Sequence, residues 1–263
     1  MKRSFEYIYG PVPSWRLGSS LGIDLLSQKD KICNFDCIYC QIGHSRRLVC
    51  ERKVYVHVGK IIDELDGFSG TKADYITFSG RGEPTLAVNL GEAIKAVRLI
   101  RKNKIAVLTN SVLIGQEDVR KDLALADFVV AKLDACSQES LGLINRPEEK
   151  VEFSGILEGI KEFRKNYLGR LALQIMFLRD NRQSAGEYAY LAKCINPDEI
   201  QVNTPLRHCN VEPLGKEEIL RIKEYFISAC KGVNIVSVYD ERKMDDVRPI
   251  SDAQTLKRRG KRK

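Results

Sequence analysis

An α/β fold of parallel strands joined by right-handed crossovers is predicted by three features of the 263-residue sequence. Strand-length and helix-period segments trade places along nearly the whole chain. Almost every strand-like run closes in glycine or polar residues. Three cysteines crowd directly after the first such run. An open doubly wound sheet and a full or partial barrel both satisfy this order.

The first run of strand length is SLGIDLL (20–26). VGKIIDELDGF (58–68) then spaces Ile61 and Leu65 at a helical interval, and DYITFSG (74–80) gathers Tyr, Ile, Thr and Phe, all strand formers. NLGEAIKAVRLIRKN (89–103) places Leu90, Ile94 and Val97 on one helical face. KIAVLTN (104–110) is the next strand, GQEDVRKDLALA (115–126) the next helix and DFVVAKLD (127–134) the next strand. Two helical segments follow, SQESLGLINR (137–146) and EFSGILEGIKEFRKNY (152–167). LALQIMFL (171–178), EIQVNTP (199–205) and VNIVSVY (233–239) complete the strands, separated by the helical SAGEYAYLAKCI (184–195) and GKEEILRIKEYFISACK (215–231).

In either architecture chemistry collects at the carboxyl ends of the strands, where loops are free to carry function on a rigid base. The residues closing the runs are Gly80, Gly82 and Glu83; Thr109 and Asn110; Lys132 and Asp134; and Asn203 and Thr204. No linker or internal repeat divides the chain, so residues 1–240 read as one domain and 241–263 as a basic C-terminal tail.

Composition is that of a soluble globular protein, 43% hydrophobic and 30% charged, and the length suffices to bury a sizeable core. No apolar run is long enough to cross a bilayer, and the N-terminal segment lacks a signal core. The expectation is a cytoplasmic protein without a membrane partner, whose clustered cysteines act as ligands or catalytic groups rather than disulfides. The formal charge of +8 sits at the two ends. Nine basic and three acidic residues lie between Arg242 and Lys263, and ten and five in residues 1–60, which leaves the middle net negative. A smaller basic group, Arg46, Arg47, Arg52 and Lys53, follows the cysteines. Such runs serve as solvated surface or attract phosphates, and specify no partner alone.

Cys33, Cys37 and Cys40 follow C-x3-C-x2-C, a short loop able to curl three thiolates around one object. On a cubane iron–sulfur cluster, three thiolates leave one iron open to a further ligand, where electron-transfer clusters use four cysteines. A zinc site completed by His44 or Cys50 is the rival, disfavoured because zinc motifs favour paired C-x2-C. Cys50, Cys136, Cys194, Cys209 and Cys230 show no ligand spacing and read mostly as small core residues. His208 and Cys209 follow a strand end, where they either face a substrate or lie on the surface.

The cysteine spacing resembles the signature of radical S-adenosylmethionine (radical SAM) enzymes, and other strand ends match that superfamily in order. FSGRGEPT is similar to its GGEP stretch through Gly82, Glu83 and Pro84. LTNS is similar to its TNG turn, with Ser111 in place of glycine, and AKLDA to a strand that meets the cofactor. YIYGPVPSWRLGSSLGIDL, SGRGEPTL and NTPLR resemble more narrowly a small radical SAM family grouped with wyosine-type tRNA imidazoguanine synthetases. Trp15 stands where arginine is commoner there, and Arg81 where serine is commoner. The resemblance spans residues 5 to about 240.

It implies a partial (β/α)6 radical SAM barrel with parallel strands, a 4Fe-4S cluster on Cys33, Cys37 and Cys40, and SAM on the open iron. An electron donor such as flavodoxin or ferredoxin would drive reductive cleavage of SAM to a 5'-deoxyadenosyl radical, which abstracts hydrogen from the substrate. The resemblance places Tyr39 against adenine and, with Gly80, Gly82 and Pro84 shaping the loop, Glu83 on the SAM ammonium. Lys132 would meet the SAM carboxylate, while Thr109, Asn110, Asp134 and Asn203 would line the ribose or adenine. The bland reading of each is a barrel-interior residue satisfied by its neighbours. Three functions remain open: a radical enzyme acting on tRNA or other RNA, one acting on a small molecule or peptide, and a non-catalytic iron–sulfur redox or sensor protein.

Overall fold

The computed structural model describes residues 5–240 and 249–251. A sheet of eight strands runs in chain order, with no pairing between its first and last members: β1 (Ile8–Ser14), β2 (Gly18–Ile23), β3 (Tyr75–Phe78), β4 (Lys104–Thr109), β5 (Phe128–Lys132), β6 (Arg170–Met176), β7 (Glu199–Asn203) and β8 (Asn234–Ser237). Every pair from β2 to β8 is parallel, and β1 alone is antiparallel, against β2. This is the expected partial barrel, open at both edges.

The crossovers are α1 (Val58–Asp66), α2 (Leu90–Ile100), α3 (Glu117–Leu123), α4 (Gln138–Ile144), α5 (Phe153–Asn166), α6 (Ala185–Ile195) and α7 (Lys216–Ala229). All seven strand runs and all seven helical segments of the sequence reading are present. The reading lacked β1. Its sequence IYGPVPS contains two prolines, a cis Gly10–Pro11 bond and a register shift between Tyr9 and Val12, so it carries no alternating pattern. Prolines are tolerated there because β1 is an edge strand.

Alternation along the strands separates two cores. Outward residues such as Ile76, Phe78, Val107, Val129, Leu173, Ile175 and Val202 merge with Ile61, Leu65, Ile94, Ile160 and Phe226 of the helices. Inside, Leu17, Ala106, Phe128, Val130 and Ala172 form an apolar plug near the strand starts. The carboxyl half of the interior keeps Gln174, Gln201 and Asn203, buried and polar. The plug therefore closes the bottom of the half-barrel and leaves the top for chemistry.

Aspartates placed just before alternate strands set the register. Asp74 accepts from Ser19 N (2.7 Å), Asp127 from Ile105 N (2.7 Å) and Asp198 from Leu171 N (2.8 Å). At the sheet edge Ile250 N donates to Gly10 O (3.0 Å), and Ser251 Oγ accepts from Gly10 N (2.9 Å). Part of the segment assigned to the tail thus returns to β1, while residues 241–248 and 252–263 of that tail lie outside the described residues. No helix among the described residues is long and apolar enough to cross a membrane.

Phe226 of α7 is fully buried and meets Phe177 edge-on at 6.1 Å. Phe226→Ala should lower unfolding stability by about 3–5 kcal/mol through lost burial and a residual cavity. Leu168→Ala, at a fully exposed site, should change it by less than about 0.5 kcal/mol. Denaturant midpoints with unchanged slopes check both.

Candidate active site at the cysteine loop

After β2 the chain enters no helix but runs back beside the end of β3. Ile32 N donates to Arg81 O (3.3 Å) and Glu83 N to Ile32 O (3.0 Å), a parallel bridge between Ile32 and Gly82. A Cβ at Gly82 would lie 1.7 Å from Ile32 O, so only glycine permits this approach. The pairing sets Cys33 beside Glu83. Gly80, at φ 137°, admits the Asp24 carboxylate, which accepts from Leu26 N (3.0 Å) and Arg81 N (3.2 Å).

The cysteine loop is held from two sides. Asp36 N and Ile38 N donate to Asn145 O and Ile144 O at the end of α4, each 3.0 Å. On the other side Val49 N donates to Cys33 O (3.0 Å), and a turn from Cys40 N to Cys37 O (3.0 Å) brings the last two cysteines together. Asn110 Nδ2 donates to Cys33 Sγ (3.7 Å) and Asn145 Nδ2 to Cys37 Sγ (3.4 Å). Burial pushes the Cys33 thiol up to about 12 and raises Cys37 as well. Lys31, almost wholly buried, donates to Gly43 O (3.1 Å). Burial disfavours its charge, yet the adjacent Cys40 and Cys33 thiols raise its pKa overall.

Glu83 is 2% exposed. Its Oε1 accepts from Thr85 N (3.1 Å), Thr85 Oγ1 (2.7 Å) and Thr109 Oγ1 (2.7 Å), and its Oε2 from Asn110 N (2.6 Å). Burial raises its pKa despite these four donors, and no cation pairs with it among the described residues. Pro84 opens the short 3-10 turn Pro84–Leu86 that Glu83 caps.

A second network centres on Asp134. Tyr39 Oη donates to its Oδ2, Lys132 Nζ lies 3.2 Å from the same oxygen, and Met176 N donates to Oδ1 (2.9 Å). Lys132 also donates to Tyr39 Oη (2.7 Å), and Asn145 Nδ2 lies 3.3 Å from both Tyr39 Oη and Asp134 Oδ2. Burial, then the Asp134 charge, pushes the Tyr39 phenol well up. Tyr39 packs with Ile144, Met176 and Leu178, and Cys209 and Val211 cover the same cluster.

Of the residues singled out from sequence, Cys33, Cys37, Tyr39, Glu83, Thr109, Asn110, Lys132 and Asp134 form two hydrogen-bonded groups bridged by the cysteine loop, with Cys40, Gly80, Gly82 and Pro84 shaping it. Asn203 stands apart, its Oδ1 turned to Thr204 N (2.9 Å). His44 and Cys50, the alternative zinc ligands, face Asp36 (3.1 Å) and Glu148 (3.8 Å). Among the described residues no three His, Cys, Asp or Glu side chains are placed to hold a single metal ion. The sequence reading missed Lys31, Asn34 and Asn145. Lys31 and Asn34 flank Cys33 and were open to notice, whereas Asn145 lies 108 positions from Cys37 and carries no local signal.

The Radical SAM superfamily model matches residues 31–190. A UPF0026 protein of Synechocystis sp. is 35% identical over 263 residues, covering 100% of this chain and 94% of the relative. Among solved structures, Streptococcus suis SuiB bound to its precursor peptide SuiA superposes with a TM-score of 0.63 at 14% identity, over 85% of this chain and 49% of SuiB. Archaeal TYW1 gives 0.57 at 15% identity, over 88% of this chain and 77% of TYW1.

Asp134→Asn should cost about 2–4 kcal/mol of stability in the cofactor-free protein, because it leaves Lys132 without its carboxylate. An unchanged urea midpoint would show that Asp134 is no structural node.

Proposed function

Because the chain belongs to the radical SAM superfamily, together with the UPF0026 proteins, we propose that it is an enzyme in which Cys33, Cys37 and Cys40 hold the 4Fe-4S cluster and Glu83 receives the ammonium of SAM. The observation that carries this reading is the bridge at Gly82, which sets a buried carboxylate without a counter-cation beside the first cysteine. Two orphaned polar atoms fit such cargo. Asn34 Nδ2 beside Cys33 and Asn145 Oδ1 beside Cys37 are buried without partners. When bound, the cluster and SAM supply one-electron cleavage to methionine and a 5'-deoxyadenosyl radical.

The chain's own residues bind, orient and exclude water. Asn110 and Asn145 donate to the sulfurs, and Lys31 places a positive charge against thiolates that burial disfavours. Thr85, Thr109 and the Asn110 amide fix the Glu83 carboxylate, three of their hydrogen bonds ending on Oε1 and one on Oε2, so that Oε2 keeps capacity for a further donor. The Asp134 network holds Tyr39 as a wall over the loop, and Ile144, Met176 and Leu178 keep that side dry. Ser111, at φ 72°, makes the turn after β4 in a conformation that favours glycine.

RNA is the substrate class we favour, supported by the exposed Arg46 and Arg47 on the cysteine loop and by the basic residues that end the sequence.

Anaerobic reconstitution should give about four irons per chain, since a cubane holds that number. Cys33→Ala should abolish assembly. Glu83→Gln should keep the iron but lose SAM binding and 5'-deoxyadenosine formation, and normal SAM affinity in that variant would displace Glu83 from its role. The RNA assignment is checked separately: retention of bulk tRNA should fall steeply with salt, in proportion to the phosphates contacted. Salt-insensitive or absent retention would favour a small-molecule or peptide substrate.

A further inference from the structure

A cavity of about 450 Å³ opens at the rim of the half-barrel, outside the cysteine loop, and the site described above does not use it. That volume lies within the range of small-ligand pockets. Glu6 and Tyr7 at the entrance to β1, Gln28 and Lys29 after β2, His57 and Lys60 at the start of α1, and Arg81 after β3 line it. Three permanent cations therefore face one carboxylate.

The cations are not consumed by ion pairs. Among the described residues Lys29 and His57 have no side-chain partner, Lys60 meets Tyr7 alone, through its Oη at 3.5 Å and over its ring at 5.8 Å, and Arg81 Nη2 donates to the carbonyl of Lys29 at 3.3 Å. The start of α1 adds to the same field. His57 occupies its N-cap without a side-chain cap, no acidic residue sits in the first turn, and Gly59 opens onto free space. First-turn N–H groups left without a cap attract anions, and here they lie beside side chains of the same sign.

The position relative to the cysteine loop is set by the backbone. Ile32 runs beside 81–83, which sets Cys33 next to Glu83 at the inner end, and Arg81 Nη2 reaches the carbonyl of Lys29 at the outer end. At about 3.3 Å per extended residue, two residues separate Arg81 from Glu83 by roughly 7 Å. An anion held by Arg81 thus lies beside the strand segment that leads to the cysteine loop.

The geometry points to this cavity as a phosphate-binding subsite that anchors the phosphate of a phosphorylated substrate through Lys29, Lys60, Arg81 and the start of α1. It deepens the RNA reading by naming where one phosphate sits, and it stands on its own if the substrate is a small phosphorylated molecule. The test uses the reconstituted full-length protein, with inorganic phosphate, AMP and bulk tRNA as separate probes in titration calorimetry at low salt. Phosphate and AMP should each bind at one site. The double substitution Lys29→Gln/Lys60→Gln should weaken AMP at least tenfold, and Arg81→Gln should do the same, as expected for the loss of charge-assisted hydrogen bonds. Lys161→Gln/Lys165→Gln removes equal charge from α5 and should leave AMP affinity unchanged.

Failure of phosphate and AMP to bind, or equal loss in the α5 variant, would overturn the subsite. The two readings fail separately. tRNA retention with no phosphate site would leave the RNA reading standing and sink this one. Phosphate and AMP binding without tRNA retention would keep the subsite and assign it to a small phosphorylated substrate.

Discussion

One close backbone approach organises the functional end of the molecule. Gly82 Cα lies against the carbonyl of Ile32, and the two hydrogen bonds flanking it fix the cysteine loop to the end of β3. That pairing sets Cys33 directly beside Glu83, while α4 and Val49 hold the rest of the long segment between β2 and α1. With it, the first cysteine, the buried carboxylate and the Asn110 turn share one rigid frame. Any side chain at position 82 would have to displace backbone, which is among the costliest adjustments a packed site can make.

The division of the interior explains why the site lies where it does. Phe128, Val130, Ala106 and Ala172 exclude water from the strand starts. The strand ends must then satisfy their own polar groups, and they do so mainly through Glu83 and Asp134, each of which gathers donors from several segments. Glu83 takes neutral donors only and so remains able to attract a cation. Asp134 is neutralised by Lys132 and engaged by Tyr39 and Met176 N, so its part is to hold a wall in place. The sequence reading gave both carboxylates a place at the cofactor; the difference between them lies in which partners reach them.

Periodicity carried the fold well because each helix is amphipathic and each parallel strand is apolar on the face it shows the helices. SLGIDLL and DFVVAKLD need no tertiary context to read as strands. IYGPVPS does, since its strand character comes from pairing with β2 and not from its own pattern. The same distinction governs the site. Cys33, Cys37, Cys40 and Glu83 sit in short local motifs and were legible. Asn145 reaches Cys37 only because α4 ends against the loop, and no residue near it announces that contact. Asn203 was singled out as a strand end, yet β7 lies four strands from β3, and its amide turns to its own chain neighbour.

The fold also redistributes charge that the sequence keeps apart. Both basic segments lie at the chain ends, while the middle is net negative. Ser251, fixed to Gly10, brings the C-terminal segment back to the edge strand, whose entrance residues Glu6 and Tyr7 line the cationic cavity. Three residues of extended chain separate Gly10 from Tyr7, roughly 10 Å. The anchor at Ser251 therefore lies about 10 Å along β1 from the cavity that Lys29, Lys60 and Arg81 line. Among the described residues, Lys29, Lys60 and Arg81, far apart in sequence, are thereby gathered at the rim that leads to the cysteine loop.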